Sequence, residues 1–134
     1  MALPSRVDYT ESAAELIRKL TLRNGPLMFH QSGGCCDGSA PMCYLKGEFR
    51  TGSQDVLLAE LIVDGVAEPI GFWMSLEQFN YWKHTHLTLD VVKGRGSGFS
   101  LEVPEGVRFL IRSRIYTDAE WELLKDAPVV TGLT

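Results

Sequence analysis

The chain has 134 residues and a formal charge of −4, with 45% hydrophobic and 22% charged residues and a pI near 5.3. That length and apolar content suit one globular domain with a core of its own, and they exclude the disordered and collagenous classes. The acidic balance argues against nucleic acid as a partner, because phosphate-backbone binders concentrate lysine and arginine on one face.

In chain order, Ser12 followed three residues later by Glu15 reads as a capping box. Ala13, Leu16, Ile17 and Leu20 recur on one helical face behind it. Asn24, Gly25 and Pro26 stop that helix, since glycine takes a left-handed cap and proline cannot continue the ladder. Leu27–Gln31 reads as a short strand. Beyond the polar, glycine-rich stretch Ser32–Pro41, the run Val56–Val63 meets Asp64-Gly65, a pair suited to the left-handed positions of a tight hairpin, with Val66–Met74 returning antiparallel. Ser75 and Gln78 make a second capping pattern for a short helix, Leu76–Lys83, in which Phe79 and Trp82 share a face.

Leu87, Leu89 and Val91 alternate with His86, Thr88 and Asp90, the period of a strand. A glycine-rich connection, Gly94–Gly98, leads to an expected strand Phe99–Val103 and a turn at Pro104–Gly106. The connection is not a dinucleotide fingerprint, for it lacks the third glycine at the required spacing and opens no helix. Val107–Ile115 reads as one long strand with Arg108, Arg112 and Arg114 on its outer face, placed to fork onto a bound carboxylate or phosphate or else ion-paired to acids such as Glu48, Glu60 or Glu102. Thr117 and Glu120 then cap a C-terminal helix that carries Trp121 and Leu124. Strands joined by short turns, with a helix at each end and a short one inserted, predict an α+β fold on a mostly antiparallel sheet.

No apolar run approaches the ~18–20 residues that cross a bilayer. Met1–Arg6 lacks the apolar centre of a signal peptide, so a cytoplasmic protein is expected. The three cysteines all lie between Cys35 and Cys43 and do not form a secreted disulfide framework, which points to reduced thiols.

Those thiols mark the most unusual segment, His30–Cys43. Thiolates favour zinc, copper(I) and iron-sulfur centres, and a closed site usually takes four ligands. Cys35, Cys36 and Cys43 supply three, and the fourth is His30, Asp37, His84, His86 or a group from a second chain. Adjacent side chains on an extended strand face opposite ways, so Cys35 and Cys36 share a metal only where the backbone turns sharply, which Gly33, Gly34 and Gly38 permit. Two other readings stay open: cysteines buried as small apolar residues, or Cys35 or Cys36 as a nucleophile with His30 as its base. Phe72, Trp73, Phe79, Tyr81 and Trp82 crowd one segment, as core or as anchors of a protein interface, with self-association its simplest form.

Four strings, Ser32–Cys43, Phe79–Thr85, Asp90–Glu102 and Arg108–Arg114, together resemble an uncharacterised bacterial family encoded beside aldehyde or alcohol dehydrogenases, over almost the whole chain. The resemblance implies an accessory role near aldehyde metabolism, with an aldehyde dehydrogenase or a related enzyme as partner. A second, fold-level resemblance is to the A-type iron-sulfur carrier domains, through Gly33-Gly34-Cys35 and Gly98-Phe99 to Pro104. It departs from them in having no cysteine after Cys43. The expected function is an accessory protein whose Cys35/Cys36/Cys43 loop, with His30, holds zinc, iron or an iron-sulfur cluster or acts as a redox thiol. The alternative is a non-catalytic binding module in which the cysteines only pack and the Phe72–Trp82 segment docks.

Overall fold

The computed structural model describes residues 4–31, 38–94 and 100–132. A three-residue strand, β1 (Val7–Tyr9), runs directly into helix α1 (Glu11–Asn24). The helix is capped by Thr10, whose hydroxyl accepts from the Ala13 amide at 3.2 Å, so it starts earlier than a Ser12 cap predicts. Tertiary contacts make that choice: the Thr10 hydroxyl donates to Asp90 at 2.8 Å and its backbone N–H donates to Leu89 at 2.9 Å. At the other end Gly25, with φ 94°, donates its N–H to the Thr21 carbonyl at 2.8 Å.

The remaining strands are β2 (Leu27–Gln31), β3 (Met42–Leu45), β4 (Asp55–Leu61), β5 (Ile70–Ser75), β6 (Thr85–Lys93), β7 (Val107–Ile115) and β8 (Val130–Thr131). Helix α2 (Leu76–Trp82) follows β5, and helix α3 (Asp118–Leu124) follows β7. They form two sheets, ordered β1-β6-β7 and β3-β2-β5-β4-β8. Antiparallel pairings predominate, at β2–β3, β4–β5, β4–β8 and β6–β7. The α+β class is as the sequence predicts, but β1–β6 and β2–β5 pair in parallel.

Two local expectations are corrected. Asp64-Gly65 does not make a two-residue hairpin: only Gly65 takes a positive φ, and the connection runs from 62 to 69 before β5 begins at Ile70. The expected strand Phe99–Val103 is not one. Phe99 lies outside the described residues, Ser100–Glu102 run irregularly between the sheets, and Val103–Glu105 form a short 3-10 turn closed by Gly106 at φ 73°.

The inner faces of both sheets and the apolar side of α1 share one hydrophobic cluster. Phe29 of β2 meets Phe109 of β7 edge-to-face at 4.8 Å and lies 5.9 Å from Phe72 of β5, so aromatic packing bridges the two sheets. Ala13, Ile17 and Leu20 close the cluster from α1. No helix among the described residues is long and apolar enough to cross a membrane.

The junction of β7 with α3 adds a polar lock. Thr117 and Glu120 form the full capping box, and Arg114 forks onto Glu120 at 2.8 and 2.9 Å. The guanidinium, helped by the Thr117 amide, lowers the Glu120 carboxyl from its ordinary 4.5 to about 2. A carboxyl depressed in the folded state stabilises fully above its unfolded value, and that contribution fades as pH falls through the folded one. Glu120→Gln should therefore lower the melting temperature near neutral pH and shrink the wild-type loss between pH 4.5 and about 2. Melting curves across that range check it, and an acid limb identical in both proteins contradicts it.

Candidate functional site

Pairing register decides where the cysteine segment's neighbours point. In the β2–β3 pair Phe29 faces Cys43 and His30 faces Met42. Directly opposed residues share a face and successive residues alternate, so Cys43 follows Phe29 into the core while His30 takes the outer face. The expected four-ligand set is thus divided: His30 and Cys43 lie on opposite faces of one sheet. Cys35 and Cys36, with Asp37, lie outside the described residues.

Cys43 is fully buried, at 0% exposure. Burial pushes its thiol well above the ordinary value, and the negative charge of Glu102 pushes it the same way. A thiol so held stays protonated, the state that neither binds a metal nor attacks an electrophile. Of the readings open from the sequence, Cys43 fits the small apolar core residue.

Around Cys43 the chain builds a closed polar network. Its amide donates to Ser100 Oγ at 2.8 Å, and its carbonyl accepts from the Leu101 amide at 3.0 Å. The Ser100 hydroxyl donates in turn to Glu102 Oε1. Glu102, itself 0% exposed, accepts the Phe109 amide on Oε2 at 3.1 Å. Read from the sequence as a partner for the arginines, Glu102 instead joins the edge of β3 to the edge of β7.

His30, 2% exposed, bonds through Nε2 to Asp55 Oδ1 at 2.7 Å, and its ring lies 4.1 Å from that of Phe49. The other Asp55 oxygen accepts the Gly52 amide at 2.9 Å. Gly52 is also held by Gly132, whose N–H donates to its carbonyl at 3.0 Å. A Cβ on Gly132 would stand 2.7 Å from the Thr51 carbonyl carbon, so glycine is required for this approach. The segment 46–54 is thereby arched over the outer face, and His30 is one of its pins. Neither Asp55 nor Phe49 carried a sequence signal, because only the order β2-β5-β4 brings residues 25 apart in the chain together.

The ends of the cysteine segment are fastened to different sheets. Gln31 closes β2, while at the far end the Gly38 amide donates to the Ile111 carbonyl at 2.7 Å and the Ile111 amide to the Ser39 carbonyl at 2.8 Å. Arg108 adds a hydrogen bond to the Gly38 carbonyl at 3.1 Å.

The other singled-out residues have separate tasks. His86 bonds Asp8 at 2.9 Å, whereas His84 packs on Trp121 at 4.3 Å, so the two imidazoles do not share a partner. Arg112 and Arg114 are ion-paired, as expected, but to Asp90 at 2.7 Å and to Glu120. Of the aromatics read as core or as interface anchors, Phe72, Phe79 and Trp82 are buried in the core, whereas Tyr81 of α2 is exposed, at 69%. Among the described residues no group of three or more His, Cys, Asp and Glu is arranged to hold a metal ion.

With Cys43 walled into the core, a thiol reagent should label it only through unfolding. Stopped-flow labelling of Cys35→Ser/Cys36→Ser, in which Cys43 is the sole thiol, should slow by at least about a thousandfold under native conditions relative to urea. Labelling at comparable rates in both contradicts the placement.

A family model described as "Domain of unknown function (DUF779)" matches residues 16–115. No curated protein and no solved structure matches the chain.

Proposed function

The chain belongs to the DUF779 family, and from that premise we propose that it is a small cytoplasmic accessory protein of aldehyde metabolism, serving an aldehyde dehydrogenase or a related enzyme through the thiols Cys35 and Cys36. The observation that carries this reading is the division of the candidate ligands. Cys43 sits protonated in the core and His30 is bound to Asp55 on the opposite face, so the segment's remaining candidate ligands are Cys35 and Cys36 with Asp37 beside them. The fastened ends at Gln31 and Gly38 support it, because a reactive segment is best presented from rigid elements.

Two thiolates do not complete a tetrahedral zinc, iron or iron-sulfur site, which takes about four protein donors. The imidazoles of His30 and His86 are bonded to Asp55 and Asp8, that of His84 lies on Trp121, and Asp37 adds at most one carboxylate. A second copy of the chain, contributing its own pair of thiols, supplies the missing donors and makes the protein a metal-bridged homodimer.

Anaerobically purified protein should then contain about one metal or one cluster per two chains. Cys35→Ser/Cys36→Ser should abolish it and return the protein to a monomer, while Cys43→Ala should keep it. Metal analysis with light scattering reads both. Wild type and Cys35→Ser/Cys36→Ser equally free of metal would overturn the reading. That result would favour a non-catalytic binding module with packed cysteines, for which Tyr81 on α2 is the exposed aromatic anchor.

A further inference from the structure

The arch 46–54 does not lie flush on the sheet. Between it and strands β2, β4 and β5 runs a half-open groove of about 330 Å³, at the lower end of the size range of small-molecule sites. Its floor is Met28, Leu57 and Gly71, and Phe49 and Trp73 stand on its sides. Gly71 seats one of those sides: a Cβ there would lie 2.8 Å from Trp73 Nε1, so only glycine leaves the indole room against the strand.

Two features define what fits. The Trp73 indole N–H has no hydrogen-bond partner among the described residues, so it offers a donor beside the apolar side chains of Met28, Leu57 and Phe49, with the Thr51 hydroxyl a second polar group of the lining. At the rim Lys46 is neutralised by Glu68 at 2.9 Å, whereas Glu60 carries its charge without an ion-pair partner among the described residues. An anion is repelled there. An ammonium group is drawn by Glu60 and by the ring faces of Phe49 and Trp73, but on reaching the floor it loses its water against Met28 and Leu57.

We propose that this groove binds a small, neutral, largely apolar molecule that presents one hydrogen-bond acceptor, such as a ketone oxygen, to the Trp73 indole N–H. The apolar body is driven onto Met28, Leu57 and Phe49 by loss of hydrated surface, and the hydrogen bond from Trp73 fixes its orientation. The site shares no residue with the cysteine segment, so it stands or falls separately from the metal-bridged dimer.

The test uses the full chain labelled with ¹⁵N and follows its indole N–H signals, that of Trp73 being the one missing from Trp73→Phe. Acetophenone, benzoate and benzylammonium serve as neutral, anionic and cationic probes of similar size. Acetophenone should shift the Trp73 signal saturably, and both ions should bind at least about tenfold more weakly. Trp73→Phe, which keeps an aromatic side wall but loses the donor, should weaken acetophenone binding several-fold, read on the Gly71 amide. Gly71→Val should abolish it by filling the floor; Leu57→Trp does the same service if the valine variant gives the spectrum of an unfolded chain. The proposal is overturned by the absence of a saturable shift in the wild type, by binding that survives both floor-filling variants, or by ions that bind as tightly as the ketone.

Discussion

A carboxyl group with no access to solvent holds the two sheets in register. Glu102 receives the Ser100 hydroxyl on one oxygen and the Phe109 amide on the other, and Ser100 takes the Cys43 amide. The edge of β3 and the edge of β7 are thereby tied through the irregular residues 100–102, which satisfy backbone groups that neither sheet pairs internally. Packing alone does not set that relation. Phe29, Phe72 and Phe109 supply apolar contact area, but an aromatic cluster tolerates sliding in a way that directed hydrogen bonds in a low-dielectric interior do not.

From this junction follows the fate of the residues that looked reactive. With β3 docked on β2 so that Cys43 faces the core, the alternation of the strand sends His30 outward, where Asp55 and Phe49 take it up as a pin for the arch 46–54. One register therefore removes Cys43 from chemistry and opens the groove on the other side of the sheet. The groove depends on two close approaches, of Gly132 to Thr51 and of Trp73 to Gly71, and both occur where any larger residue would collide. The cysteine segment, fastened at Gln31 and at Gly38, leaves from the end of the same strand.

Local patterns are readable where tertiary contacts leave an element's own signal uncontested, which fails at Asp64-Gly65 and in the stretch before Pro104. The long strand at residues 107–115, the 85–93 strand, the short helix after Ser75 and the capping box of Thr117 with Glu120 all declare themselves by period or by cap. What escaped was set by tertiary partners. Val7–Tyr9 is too short to show alternation and becomes a strand only beside Leu87–Leu89. Thr10 outcompetes Ser12 as a cap because Asp90 and Leu89 already hold it. The parallel pairing of β2 with β5 has no local signature, and with it went the His30–Asp55 contact and the groove. Glu102 differs for a related reason: a glutamate in a turn-rich stretch reads as a surface acid, and its burial is made tolerable by two donors, the Ser100 hydroxyl and the Phe109 amide, that only the folded chain brings to it.

The most direct test is the unfolding free energy of Glu102→Ala in urea, with Glu102→Gln as the isosteric control. Truncation strands the Ser100 hydroxyl and the Phe109 amide in the core, and such orphaned groups cost about 1–3 kcal/mol each. A loss of about 3 kcal/mol or more for alanine, with a clearly smaller loss for glutamine, is the expected result. A loss below about 1 kcal/mol for alanine would show that the sheets keep their register without the carboxyl and would contradict the account.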